Sequence, residues 1–334
     1  FWIHVPLVLI GAACLRNQNL PEGNPHATVD WGGAVLVALT FGSLVLSLES
    51  LRDLGKVDLL SLRIGGFILL SLIGLGLLIP YERRQDEPIL NIQLISSKAI
   101  APLLLVSMLV GYALLGGVVF LPLYVQLSFG ASALGGGAAL NAAAVGLGVS
   151  SWAAGELTNN TGPKPLVVGG MGLIMVGLLG MMLMHSSLWG VLGGLLVLGA
   201  GLGLAQGPMS HLGLELTPPR DRGQVAGLLS VTRSMGGALG ITVAGLLLDQ
   251  ASSRVAARLP DQNVEHLMTR VWGSIGNVDA LESTVTGAGQ SIPQTLGTGI
   301  INGWATALAA AGIGLIAAIV LKNTQHTPAE VQES

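Results

Sequence analysis

Charge divides this sequence into long apolar windows, and that division constrains the fold more than any single motif. The windows, bounded by charged residues or proline, run over Trp31–Leu48, Leu59–Pro80, Ile100–Leu127, Ala133–Gly155, Pro165–Met184, Leu188–Ser210, Val225–Leu248 and Leu296–Leu321. A further window ends near Leu15. In a bilayer core every backbone N–H and C=O needs a partner within the chain, so such windows cross it as helices of about 20 residues. The predicted fold is therefore an all-α membrane protein, a helical bundle of about nine transmembrane helices. Composition agrees. Charged residues make up 10% of the chain, where soluble domains carry about 25%. Aromatics are only 4%, so the apolar content is the Leu, Val, Ala, Ile and Gly of lipid-facing helices.

Several function classes drop out at once. A net charge of −3 offers no basic face for nucleic acid. The single cysteine, Cys14, excludes an internal disulfide and any CxxC metal site. The six histidines, His4, His26, His185, His211, His266 and His326, are scattered, so no metal and no cofactor are expected. The opening FWIHVPLVLIGAACLRN lacks the basic head of a signal peptide. A lipoprotein reading at Cys14 would want a branched apolar residue where Gly11 stands. The expectation is the tail of a span whose beginning lies outside this sequence.

Loop charge orients the spans. If the segment after the first span is cytoplasmic, the inner segments hold Arg16, Arg83, Arg84, Lys98, Lys164, Arg220, Arg222 and Lys322, and the short outer loops hold only Arg52 and Lys56. The positive-inside rule favours this orientation. Arg254, Arg258 and Arg270 fall in the long Asp249–Thr295 segment, where translocation is less sensitive to charge. The expected organisation is a span remnant over 1–15, a cytoplasmic linker over 16–30 and a two-span hairpin over 31–80. A second linker over 81–99 leads to a six-span bundle over 100–321 with an outer excursion at 249–295, and a tail covers 322–334. The six spans form two groups of three that enter the membrane in opposite directions, as inverted repeats of secondary transporters do, although no residue-by-residue repeat is visible.

Several stretches resemble the fourteen-span drug:proton antiporter family (EmrB/QacA-type) of the major facilitator superfamily. FWIHVPL is similar to that family's FxINVPxG at the sixth span, with His4 in place of Asn. DEPILNIQLI resembles the EPLxDLxLF segment before the ninth span, and FLPLYVQLSFGASALGGG the PLYxQxxxGxSxxxxG pattern that follows it. GLGLAQGPMS and PPRDRGQVAGLLSVTRSMGGALGITVAG resemble the twelfth and thirteenth spans, including the RxxGGxxG run at Arg233–Gly240. The resemblance covers almost the whole chain. It implies spans six to fourteen of a longer protein, a C-terminal portion lacking roughly the first five spans. One departure stands out: the superfamily's GxLxDRxGxR loop signature reads GELTNNTGPK here, with Asn159 and Asn160 replacing Asp and Arg.

Candidate residues follow from what a membrane interior penalises. Arg233 sits inside a span, where an arginine costs about 3 kcal/mol at the centre. It either tethers to the cytoplasmic rim and helix C-terminal carbonyls or touches substrate. Asp30, Glu49, Glu156, Glu215 and Asp249 lie at or beyond span ends, so the proton carrier is expected upstream of this sequence. His211 and Glu215 share a helix face, but with no third ligand they read as a polar cytoplasmic edge. Tyr112, Tyr124, Gln126, Asn141, Trp152 and Gln206 are candidates for lining a substrate cavity, against the alternative of bonds between neighbouring helices worth about 1 kcal/mol each. Asn141 and Gln206 are placed deepest, and Tyr124 and Gln126 near the outer rim. Gly199, Gly203 and Gly207 form one small-residue ridge and Gly236 with Gly240 another, and Pro208 removes a backbone donor and is expected to kink its helix.

The function expected from these features is proton-coupled efflux of a small amphipathic or cationic substrate across a bacterial cytoplasmic membrane. The alternatives are a metabolite exporter or importer of the same superfamily, or a non-transporting membrane protein. An intramembrane enzyme would need clustered His, Asp or Glu at depth, and no enzyme is expected. The partners are the lipid bilayer, protons, the N-terminal bundle of the same protein and, as a further partner, a periplasmic adaptor. A cysteine placed in the Asp249–Thr295 segment, with Cys14 removed, should react with an impermeant thiol reagent in intact cells. One placed between Arg83 and Lys98 should not, and the reverse labelling pattern would invert the orientation.

Overall fold

Two helices here stop at a glycine of positive φ, Gly130 and Gly162, and not where an apolar window ends. The computed structural model describes residues 31–50, 64–82, 97–256 and 291–321, together with Val5, Pro6 and Val8. The rest of the first span, the 16–30 linker, residues 83–96, residues 257–290 of the outer excursion and the tail lie outside the described residues. The elements are α1 (Trp31–Ser50), α2 (Ile64–Glu82), α3 (Ile100–Val118), α4 (Leu121–Phe129), α5 (Ala133–Thr161), α6 (Pro163–Leu183), α7 (Leu188–Glu215), α8 (Arg222–Ala256) and α9 (Ser291–Val320).

Among the described residues, six helical segments are long and apolar enough to cross a membrane: Ile100–Phe129, Ala133–Thr161, Pro163–Leu183, Leu188–Glu215, Arg222–Arg254 and Thr295–Val320. The apolar parts of α1 and α2, Gly32–Ser47 and Gly65–Leu78, are shorter. The Ile100–Leu127 window is one span but two helices. Pro122 has no N–H for the carbonyl four residues back, and the backbone turns out of helical geometry at Phe120 (φ −93°, ψ 4°). Three other helices outrun their windows. α5 continues through Glu156, Asn159 and Asn160 to Thr161, because the chain turns only at Gly162, whose φ of 79° suits glycine, and Pro163 then opens α6. The GELTNNTGPK stretch is thus a helix end and a tight turn. α7 passes through Pro208 and ends at Glu215, and α8 passes Asp249 to reach Ala256. Ser132 and Ser187 begin α5 and α7, their hydroxyls accepting from Gly135 N at 3.2 Å and Gly190 N at 3.4 Å.

The packing repeats itself. α3 packs on α8 and α9; α7 packs on α5 and α6. The first helix of each triplet therefore lies against the second and third helices of the other, the contact pattern of an inverted pair. Three crossings rest on glycine: α3–α8, α5–α7 and α6–α7, the last through Gly170, Gly177, Gly194 and Gly201. At α3–α8, a Cβ on Gly236 would strike the carbonyl of Met108, and one on Gly111 the carbonyl of Arg233. There too, the Cα of Gly240 lies 3.2 Å from where a Cβ on Gly116 would sit. At α5–α7, Gly199 faces the carbonyl of Ala143, Gly146 that of Leu196, and Gly203 that of Leu147 and the Ser150 hydroxyl. The ridge ends there: a Cβ on Gly207 would meet nothing within 4 Å. Buried Ser107 donates to the Leu229 carbonyl at 2.7 Å and ties α3 to α8.

α1 and α2 join through hydroxyls. Thr40, Ser43, Ser47 and Ser71 are all buried. Ser43 and Ser71 both donate to the Thr40 carbonyl, at 3.1 and 3.2 Å, and Gly74 lies against the Thr40 side chain. α1 also touches α8.

Adding a methyl at a backbone crossing forces the helices apart. Gly203→Ala and Gly236→Ala should each destabilise the detergent-solubilised protein by about 1–3 kcal/mol, whereas Gly207→Ala should leave thermal unfolding unchanged. Equal behaviour of all three variants would remove the crossings from this account.

Candidate functional site

A guanidinium cannot lose its charge, so where it goes inside a membrane protein is informative. Arg233 lies about 16 Å along α8 from Arg222, and Gln206 about 13 Å along α7 from Glu215, taking 1.5 Å per residue. The two side chains meet: Arg233 Nη1 donates to Gln206 Oε1 at 3.4 Å, and both residues are half-buried. The rim tether expected of Arg233 is made by a different arginine. Arg222 Nε donates to the Leu214 carbonyl at 3.2 Å, in the last turn of α7, where the helix dipole favours a cation. A basic residue just beyond a helix end was the sequence signal for it.

Tyr112 stands near this pair. Its neighbour Gly111 packs on the Arg233 carbonyl, and its own carbonyl faces Gly240. Asn141 is exposed on α5. Since Ala143 packs on Gly199 and Leu147 on Gly203, Asn141 lies roughly 13 Å from the level of Gln206, toward the Ala133 end of α5. It belongs to an exposed stripe of small residues, Gly137, Asn141, Ala144, Gly148, Ser151 and Gly155. Trp152 is 76% exposed on an adjoining face of the same helix.

Tyr124 and Gln126 do not share this setting. Both are buried, in α4. Tyr124 donates its hydroxyl to the His185 carbonyl at 2.8 Å and packs edge-on against Trp304, centroids 4.8 Å apart. Gln126 Nε2 donates to the Pro122 carbonyl at 3.1 Å, while its Oε1 has no partner among the described residues. A Cβ on Gly136 would lie 3.1 Å from that Nε2, so α5 closes over the amide. These two side chains join helices: they tie α4 to α9, to the α6–α7 turn and to α5.

The charged inventory is small. His211 Nδ1 and Glu215 Oε1 are 3.2 Å apart on the last turn of α7, partly exposed. No group of three or more potential metal ligands occurs among the described residues. Asp221 lies in the short 3-10 helix Pro219–Asp221 before α8, and Asp249 lies inside α8, about 10 Å short of its outer end. Asp30 falls outside the described residues.

The profile of the Major Facilitator Superfamily matches residues 1–241. The chain belongs to that superfamily. It is thus an integral, multi-pass membrane protein of a transporter family rather than an enzyme. It is 27% identical over 273 residues to the multidrug transporter protein MdtP of Bacillus subtilis, covering 80% of this chain and 49% of that one. It is 28% identical over 267 residues to a tetracycline resistance determinant of Streptomyces rimosus, covering 78% and 76%. With the drug efflux pump JefA of Mycobacterium tuberculosis it shares 26% over 273 residues, covering 80% and 52%. The chain spans about half the length of most of the curated relatives it matches. The fold is similar to a bacterial homologue of the human lysosomal transporter Spinster, solved inward-facing and occupied. The TM-score is 0.50 at 13% identity, over 86% of this chain and 66% of that one.

If the exposed stripe of α5 borders a water-filled path in this superfamily member, Asn141→Cys in a Cys14-free background should react with a charged thiol reagent. Gln126→Cys should stay unreactive under the same conditions. Protection of position 141 would place that stripe against lipid or protein.

Proposed function

We propose that this chain is the C-terminal part of a proton-coupled exporter of small amphipathic molecules, of the fourteen-span drug:proton antiporter type. The observation that carries the reading is the joining of α7 and α8 at depth by Gln206 and Arg233, in a six-span bundle whose relatives include a multidrug transporter and a drug efflux pump. Support for a longer protein comes from coverage, since the chain matches about half of most of those relatives. In this reading the bundle rocks against a second one, and substrate binds between them near the midplane. α5 and α8 present small exposed residues, Gly148, Ser151, Ala226, Gly227 and Ser230 among them, on which a second bundle can seat closely. The proton carrier belongs to the other part, because a carrier must be alternately desolvated and hydrated, and no described carboxylate lies beside the Arg233–Gln206 pair.

Everted vesicles holding the full-length protein and energised acid-inside should accumulate members of a panel of amphipathic fluorophores of both charge signs. A protonophore should abolish the uptake. Vesicles holding only this chain should accumulate none. Uptake that ignores the protonophore, or proton-driven uptake by this chain alone, would overturn the reading.

A further inference from the structure

The charge at the site bears on what is carried, and this step rests on the proposed transport reading. Arg233 keeps its charge at any physiological pH and presents five N–H donors in a planar fork. Among the described residues it has one recorded polar partner, the neutral carbonyl oxygen of Gln206, at the long distance of 3.4 Å. Among the described residues no carboxylate lies within ion-pair distance of it. Along α8, Asp221 is about 18 Å away on one side and Asp249 about 24 Å on the other. Glu215 is turned to His211 at the rim. A cation held at this depth with only an amide for company is the arrangement least suited to a cationic ligand and best suited to an acid.

Space and further polar groups are present beside it. Gly207, next to Gln206, is exposed and has nothing within 4 Å of its missing Cβ. Ser230, one turn before Arg233 on α8, is exposed, as are Ser210 and Ser234, whose hydroxyls donate to the backbone carbonyls of Gln206 and Ser230 at 3.1 and 3.0 Å. The Gln206 amide can also give an N–H while its oxygen stays on Arg233. We propose that Arg233 and Gln206 receive the anionic head, typically a carboxylate, of an amphipathic substrate, so that the cargo includes weak organic acids. Of the amphipathic or cationic substrates expected from the sequence, this selects amphipaths of negative charge. Bidentate recognition of a carboxylate by the guanidinium fork supplies the specificity, and the apolar body of the ligand lies on the surrounding small-residue surface.

A pair of ligands of one shape and opposite charge tests this. The intact transporter in nanodiscs is titrated with 2-naphthoate and with 2-naphthylmethyl-trimethylammonium, by equilibrium binding that needs neither a gradient nor transport. Naphthoate should bind at least about tenfold more tightly, the scale of one charge-assisted hydrogen-bonded pair. Arg233→Gln should erase that preference, and Arg233→Lys should restore part of it. Gln206→Ala, which keeps the cation, should weaken naphthoate by a few-fold and leave the ammonium compound unaffected. Tighter binding of the ammonium compound to the unmodified protein would overturn the proposal without any variant. So would naphthoate affinity in a folded Arg233→Gln protein that stays within twofold of the original, the result expected if a carboxylate elsewhere in the protein neutralises Arg233. Loss of proton-driven uptake with the binding preference intact would instead count against the exporter reading alone.

Discussion

Lipid does not drive helices together as water does, so a bundle in a membrane is held by how closely its backbones can approach. In this protein the approach is bought at three crossings, α3 with α8, α5 with α7 and α6 with α7, where glycines leave room for the facing carbonyls. Much else is positioned by them. The Ser107–Leu229 bond forms because Gly111, Gly236 and Gly240 bring α8 onto α3. Arg233 stands where it does because its own carbonyl is seated on Gly111, leaving its side chain to cross toward α7. The α5–α7 crossing fixes the relative depth of Asn141 and Gln206 in the same way.

The two arginines of α8 divide the electrostatic work by depth. Arg222, at the helix start, satisfies a carbonyl that the end of α7 leaves unpaired, the usual fate of a cation at a helix C-terminus. Arg233, three turns farther in, reaches an amide across the same pair of helices. One contact closes the end of the α7–α8 pair, and the other puts a permanent charge three turns deeper. The three turns between them carry Gly223, Ala226, Gly227 and Ser230 on the exposed side, so no bulky side chain of α8 intervenes along that face.

The helical class and the six long spans were legible in the sequence because membrane helices announce themselves by apolar length, a signal that survives without any knowledge of packing. Gly199, Gly203, Gly236 and Gly240 were legible as contact residues for the same kind of reason, since only glycine allows such approach. Gly207 follows the same four-residue spacing yet faces open space, because spacing says which residues share a stripe and not where the partner helix ends. The helices run past the apolar windows at Gly155, Ser210 and Leu248, since hydropathy falls before hydrogen bonding does. Tyr124 and Gln126 look like pocket residues in one dimension. Only the fold shows that the break at Pro122 turns them inward, against Trp304, the His185 carbonyl and α5. The Arg233–Gln206 contact joins residues from different helices, and nothing in either helix alone predicts it.

The hydroxyl seam between α1 and α2 has an evolutionary reading. Ser43 and Ser71 spend their donors on one carbonyl inside the pair, and the buried hydroxyls cluster where the two helices meet. Among the described residues the pair's contact with the bundle is largely with α8. Sequence drift elsewhere along α1 and α2 should therefore disturb the six-span core little, so long as the small and hydroxyl-bearing positions persist.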